Sequence, residues 1–193
     1  MSYTTKWGYE VAGCGLPTLM TANQLLVLAP GLSSTAEAIT AVLESTSAAV
    51  RDYCGWHISP NLECTFVGDG EGRLLMLPAM GVTEVSSLKA DGSELSEYEW
   101  TAAGMVRLKC GLFPSAWRSV ECTYKAGFDS AAVQQAVAQI ALNALVAAPG
   151  VREEHAGQVG ITYNQTGSGI SGGVTLLERD RAMLAPYRLA RAW

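Results

Sequence analysis

The residues able to do chemistry are few. They are His57 and His155, the five cysteines Cys14, Cys54, Cys64, Cys110 and Cys122, and the strand carboxylates Glu97 and Glu99. Cys54, His57 and Cys64 offer the sulfur and nitrogen ligands that zinc prefers, but their C-x2-H-x6-C spacing lacks the paired knuckle of structural zinc sites. With no C-x-x-C pair, the thiols read as small buried hydrophobes kept reduced. Neither histidine lies in a nucleophile elbow or protease signature, and both are expected at surface or capping positions. Glu97 and Glu99, preceded by Glu94, share one strand face, and charge that keeps a sheet edge from pairing with other sheets is the stronger reading than acid/base work.

Gly68-Asp-Gly-Glu-Gly72 and the glycine-rich residues 165–173 lack the strand, helix and lysine of a phosphate loop. They read as a hairpin turn and a flexible arm. The expectation is therefore no catalytic residue, no cofactor and no metal. The basic cluster Arg179, Arg181, Arg188 and Arg191, with Tyr187 and Trp193 among it, fits either helix-end solvation or pairing with acidic groups on a partner. Trp7, Trp56, Trp100 and Trp117 read as core or interface anchors.

Helix and strand signals define what must position these groups. Thr21-Ala-Asn-Gln24 and Ser34-Thr-Ala-Glu37 both fit the capping box, which announces helices over residues 21–28 and 34–54. Ile39, Val42, Leu43, Val50 and Tyr53 give the second helix its apolar spacing. Between residues 62 and 126 the pattern becomes short β-type runs, with Asp91-Gly92 as a hairpin signal and Tyr98 and Trp100 on one face. A helix over 130–148 carries Val133, Val137, Ile140 and Ala144 on one side and alanines on the others. A strand is expected near 159–164 and a last helix over 175–185. The predicted fold is α+β: a helical bundle (21–28, 34–54, 130–148, 175–185) with an inserted antiparallel β module at 62–126. The expected organisation is one domain with an extension at 1–16, a helical part at 17–57, an arm at 149–174 and a partner-binding segment at 175–193.

Composition narrows the function classes. Of 193 residues only 16% are charged against about 25% in ordinary soluble domains. The net charge of -5 disfavours a sequence-independent nucleic-acid binder. The apolar run at 131–148 is interrupted by Gln134, Gln135, Gln139 and Asn143, so no membrane span is expected. The first residues lack a signal-peptide core, which predicts a product that stays in the cytoplasm where it is made.

Several stretches, in order, carry a family resemblance. They are Arg51-Asp-Tyr-Cys-Gly-Trp-His57, Val82-Thr-Glu-Val-Ser-Ser-Leu88 with Asp91-Gly92 and Tyr98-Glu-Trp100, Gly111-Leu-Phe-Pro114, and Val120-Glu-Cys-Thr-Tyr-Lys-Ala-Gly127 before an alanine-rich helix. Gly157-Gln-Val-Gly-Ile-Thr-Tyr163 and Leu184-Ala-Pro-Tyr-Arg-Leu189 complete the series. Over about residues 20–190 the chain resembles the head-to-tail connector (adaptor) proteins of tailed double-stranded DNA bacteriophages and related gene transfer agents. These motifs are turn, core and interface patterns whose weight lies in their order.

The resemblance implies a non-enzymatic virion protein at the neck, made in the host cytoplasm. It would form a ring, typically of twelve subunits, below the portal, joining capsid to tail while DNA passes through without specific binding. The partners implied are other copies of the chain, the portal protein and the next neck or tail protein, with no membrane. Portal binding carries over only to Leu184, Tyr187, Arg188 and Leu189, with the glycine-rich arm as tether. Val133, Val137, Ile140 and Ala144 are the candidate subunit contacts, because a ring subunit meets two neighbours through different faces. The alternatives are another neck ring protein (stopper or tail-completion) or a small cytoplasmic metal-binding module or enzyme using Cys54, His57 and Cys64.

Overall fold

The computed structural model describes residues 1–146, 153–156, 159–162 and 174–189. In chain order the elements are β1 Ser2–Thr4, β2 Tyr9–Ala12, α1 Ala22–Leu28, α2 Ala36–Cys54, β3 Leu62–Gly68, β4 Leu74–Met76, β5 Val82–Ala90, β6 Ser93–Glu94, β7 Tyr98–Trp100, β8 Met105–Leu108, β9 Val120–Ala126, α3 Ala131–Val146, β10 Glu153–Ala156, β11 Val159–Thr162 and α4 Glu178–Leu184, followed by a 3-10 turn at Ala185–Tyr187. The class is α+β, as expected. The chain divides into two compact units. One comprises Met1–Pro17, Cys54–Asp129 and the described residues from Tyr187 onward; the other comprises Thr18–Tyr53 and the described part of Ser130–Pro186.

The first unit is built on a six-stranded antiparallel sheet in the order β1-β2-β3-β9-β5-β6. Its centre is β9, where Val120, Cys122, Tyr124 and Ala126 are buried and Glu121, Thr123 and Lys125 face the other way. This strict alternation is what a half-buried strand requires. On the outer face Lys89 pairs with Glu121 at 2.9 Å and Lys125 with Glu84 at 2.8 Å, cross-strand pairs that fix register more than they stabilise. The β5–β6 turn is the one expected: Asp91 and Gly92 have φ of 48° and 78°, a two-residue turn that only such residues enter easily. A second, three-stranded sheet runs β4-β8-β7.

Two sequence expectations change here. Residues 1–16, read as an extension, contain the β1–β2 hairpin, and β2 pairs with β3 through Tyr9↔Phe66 and Val11↔Cys64, so they form one side of the sheet. The Gly68–Gly72 turn does exist, with Glu71 and Leu74 exchanging both backbone bonds, but it links two different sheets rather than closing a hairpin within one.

In the second unit Thr21 caps α1 with the predicted box: its hydroxyl accepts from the Gln24 N–H, and Gln24 Oε1 accepts from the Thr21 N–H at 2.8 Å. For α2 the cap is one residue later than expected. The Thr35 hydroxyl, not that of Ser34, accepts from the Ala38 N–H, and the helix starts at Ala36. Ile39, Leu43, Thr46, Ser47, Val50 and Arg51 form its buried stripe at helical spacing. Ser47 accepts from the Leu19 N–H, which holds the stretch before α1 against α2. Helix α3 packs on α4, and β10 pairs with β11. The last helix spans Glu178–Leu184 rather than 175–185, because Asp180 Oδ2 accepts from the Leu177 N–H and sets the start there. The predicted strand at 159–164 is present over Val159–Thr162. The arm at 165–173 lies outside the described residues.

Candidate functional site

Of the chemistry-bearing residues in the sheet unit, His57, Cys54, Cys64 and Cys122 are committed to its core. His57, expected at the surface, is wholly buried. Its Nδ1 lies 2.8 Å from the Tyr9 hydroxyl and its Nε2 lies 2.8 Å from the Ala126 carbonyl oxygen. A carbonyl only accepts, so Nε2 carries the proton and Nδ1 accepts from Tyr9. The Tyr9 oxygen in turn accepts from the His57 backbone N–H at 3.0 Å. No lone pair is left to approach a metal. Burial also pushes the thiols of Cys54, Cys64 and Cys122 up to about 12, so they are neutral at physiological pH; the Arg188 guanidinium opposes this slightly at Cys54. Cys14 and Cys110, expected to be buried, are exposed. Among the described residues no group of three His, Cys, Asp or Glu side chains could hold a metal ion. The Cys54, His57 and Cys64 reading therefore has no geometric support.

His57 also belongs to an aromatic chain. Trp56 meets it edge-on at 5.1 Å, Phe128 meets Trp56 at 5.6 Å, and Tyr187 meets Phe128 at 5.3 Å. The backbone here is strained. Ile58 is a buried β-branched residue at φ 63°, and the Ser59 N–H donates to the His57 carbonyl at 2.8 Å, which makes a γ-turn centred on it.

The C-terminal residues singled out from sequence are tied into this cluster. The Trp56 indole N–H donates to the Tyr187 carbonyl at 2.7 Å, and the Leu189 N–H donates to the Cys54 carbonyl at 2.9 Å. Tyr187 and Leu189 are half-buried and Arg188 is exposed. Leu184, in the helical unit, is wholly buried. Arg181 pairs with Glu178 at 2.9 Å and Arg179 lies 3.5 Å from the buried Asp180 carboxylate, so both are engaged within α4; Arg191 lies outside the described residues. On α3, Val133, Val137 and Ile140 are buried within the single chain and Ala144 is half-buried. The first three belong to the subunit's own core and offer no surface to a neighbour.

Glu99 is exposed on β7, an edge strand of the three-stranded sheet, where a charge disfavours pairing with another sheet, while Glu97 lies just before that strand. A recess of about 280 Å³ beside Trp117 is lined by Lys89, Asp91, Arg118 and Glu121, whose mixed charges select no single ligand.

Two apolar groups are exposed, the first including Trp117, read from sequence as a core or interface anchor, and the second passed over in the sequence. In the loop between β8 and β9, Leu112 is 71% and Trp117 89% exposed. At the end of α1, Val27 is 81% and Leu28 60% exposed, with Leu26 beside them. A signal existed for the second group. Four consecutive large aliphatics, Leu25–Leu28, cannot all face inward from a helix of 3.6 residues per turn.

Fold and surface together define an α+β protein that leaves several large apolar side chains exposed. Comparison with solved structures gives that class a context. The chain is similar to a chain of the virion of the native gene transfer agent particle, with TM-score 0.61 and 16% identity, covering 96% of this chain and 97% of that one. It is similar to a chain of the neck of the empty gene transfer agent particle computed with C6 symmetry, with TM-score 0.59, 17% identity and coverage of 96% and 97%. A chain of the neck of the native particle computed with C12 symmetry gives TM-score 0.52, 16% identity and coverage of 93% and 98%. At such identities the likeness shows a common fold. No family model matches the chain, and no curated protein matches its sequence.

Proposed function

We propose that the chain is a structural protein of the neck of a phage-like particle, a head-to-tail connector whose copies form a ring below the portal, join capsid to tail and let DNA pass. The observation that carries this reading is the end-to-end match to chains of gene transfer agent necks, with at least 93% of this chain covered. C6 and C12 symmetry describe those necks, and a closed cyclic ring of copies is the arrangement adopted here. The buried, fully hydrogen-bonded His57 and the protonated thiols fit a role without catalysis. A net charge of -5 suits a channel that conducts DNA without gripping it.

In this reading the helices supply the ring body, and residues 165–173 tether a portal-facing end formed by Tyr187, Arg188 and Leu189. Leu184, being buried, would anchor that end rather than touch the portal. Ala144 is the one predicted subunit contact on α3 that the chain itself leaves partly uncovered. The protein would be made in the host cytoplasm and act in the virion neck.

The test is to mix the purified protein with its portal ring and image the product by electron microscopy. A ring seated on a ring is expected. Binding to the tail-side neck component but never to the portal would make it a stopper or tail-completion protein instead.

A further inference from the structure

A sheet that ends in an open strand leaves backbone N–H and C=O groups without partners, and folded proteins guard such edges with charge, bulges or covering chain. In the sheet unit most edges are guarded in this way. β6 carries Glu94 and β7 carries Glu99, both exposed. β5, which β6 covers over only two residues, is bulged at two places along its pairing with β9. On β4, Leu74 exchanges both backbone bonds with Glu71.

β1 is different. It is the outermost strand on the other side of the six-stranded sheet, and Ser2, Tyr3 and Thr4 are all exposed, with no charged side chain, proline or bulge among them. Its pairing with β2 fixes which backbone groups are open. The Gly13 N–H donates to the Met1 carbonyl at 3.1 Å and the Thr5 N–H to the Tyr9 carbonyl at 2.8 Å. Bonded and unbonded pairs alternate in an antiparallel ladder, so Met1, Tyr3 and Thr5 are the residues that bond towards β2. Ser2 and Thr4 lie between them and direct their N–H and C=O groups the other way, along an edge that no strand covers among the described residues.

The second unit holds an element that suits this edge. Among the described residues β10 and β11 pair only with each other, as a sheet of two strands. Two strands alone are marginal in water, and a third strand relieves this. β10 contains Glu153 and Glu154, whereas β11, Val-Gly-Ile-Thr, has no charge and is four residues long against three in β1. Two β1 strands pairing with one another would make a two-fold dimer, a contact that cannot propagate around a ring, because a ring needs each copy to offer different surfaces to its two neighbours.

We propose that β11 of one copy adds to the free edge of β1 on the next copy, where Ser2 and Thr4 supply the backbone donors and acceptors. The pairing rests on the ring reading and deepens it by naming the strands that join neighbours. Main-chain hydrogen bonds supply the affinity of a strand added in this way, so the contact depends on backbone groups more than on side chains.

The test uses rings assembled on the portal from full-length protein carrying Tyr3→Cys and Ile161→Cys in a Cys14→Ser, Cys110→Ser background, which removes the exposed thiols among the described residues. A short thiol cross-linker should give a ladder of covalent oligomers from this protein and none from either Tyr3→Cys or Ile161→Cys alone. In an otherwise wild-type chain, Thr4→Pro removes an outward N–H and no bond to β2, and should raise the concentration needed to assemble the ring about 10-fold. Thr4→Val keeps that N–H and should assemble as wild type does. Circular dichroism and melting confirm that the variants fold, and Tyr3 and Thr4 are exposed positions. Dimers from Tyr3→Cys alone, cross-links from residue 3 only to the portal or a tail protein, or unchanged assembly of Thr4→Pro would overturn this pairing and leave the ring reading standing. Wild type that forms no ring on its portal or in assembled particles would overturn the ring reading and this pairing with it.

Discussion

Two tyrosines buried in the same sheet unit respond to one substitution in opposite ways. Tyr9 and Tyr124 are each about 1% exposed or less. The Tyr9 hydroxyl donates to His57 Nδ1 and accepts from the His57 N–H, so Tyr9→Phe removes both bonds and leaves two buried groups of His57 without that partner. An orphaned buried polar group costs about 1–3 kcal/mol, so a net loss of about 2–4 kcal/mol is expected after crediting the hydroxyl's own desolvation. For a chain of this size that lowers Tm by roughly 5–15 °C. Tyr124 Oη, by contrast, has no hydrogen-bond partner among the described residues, and its hydroxyl is desolvated without return. Tyr124→Phe should be neutral or stabilising by up to about 2 kcal/mol. Urea unfolding followed by far-UV circular dichroism measures both. Equal destabilisation of the two variants, or an unaffected Tyr9→Phe, would refute the hydrogen-bond account of the core.

Burial raises Cys54, Cys64 and Cys122 from about 9 to about 12 and Tyr124 well above its usual value, so between those limits the native state holds more protons than the unfolded chain. Stability should thus be full below pH 9 and fall steadily as pH rises toward 12; a flat profile in urea titrations across that range would contradict it. A thiol reagent should label Cys14 and Cys110 in the native protein and all five cysteines only after unfolding, and rapid native labelling of a third would be inconsistent with the buried positions. Ending the chain after Pro186 removes the acceptor of the Trp56 indole and the ring against Phe128, which should cost about 2–4 kcal/mol and shift tryptophan emission to the red. An undisturbed emission spectrum would show that the C-terminal residues do not dock on Trp56. Arg188→Ala, which keeps both contacts, is expected to weaken portal attachment while the melting temperature stays near wild type.

What the sequence disclosed was local. The Thr21 box, the Asp91-Gly92 turn and the alternation of β9 each depend on residues within a few positions, and each is where expected. Ser34 and Thr35 are both good caps, and only the helix start decides between them. What stayed hidden is set by distant partners. The burial of His57 depends on Tyr9, 48 residues before it, and on Ala126, 69 residues after it. β1 is a three-residue Ser-Tyr-Thr strand with every residue exposed, so it has no apolar pattern to read. The α3 positions Val133, Val137 and Ile140 looked like a surface for a sister subunit because a helix face that is apolar in sequence does not say which chain covers it. The cost of ending the chain after Pro186 likewise becomes visible only once Trp56 is seen to donate to Tyr187.

The central claim is a ring of this chain between portal and tail. Reconstruction of the neck of particles containing the protein, by electron cryomicroscopy without imposed symmetry, tests it most directly. The account predicts density matching this fold in a closed ring against the portal, with residues 187–189 on the portal side. Density for the chain elsewhere in the particle, or particles complete to the tail without it, would contradict the account.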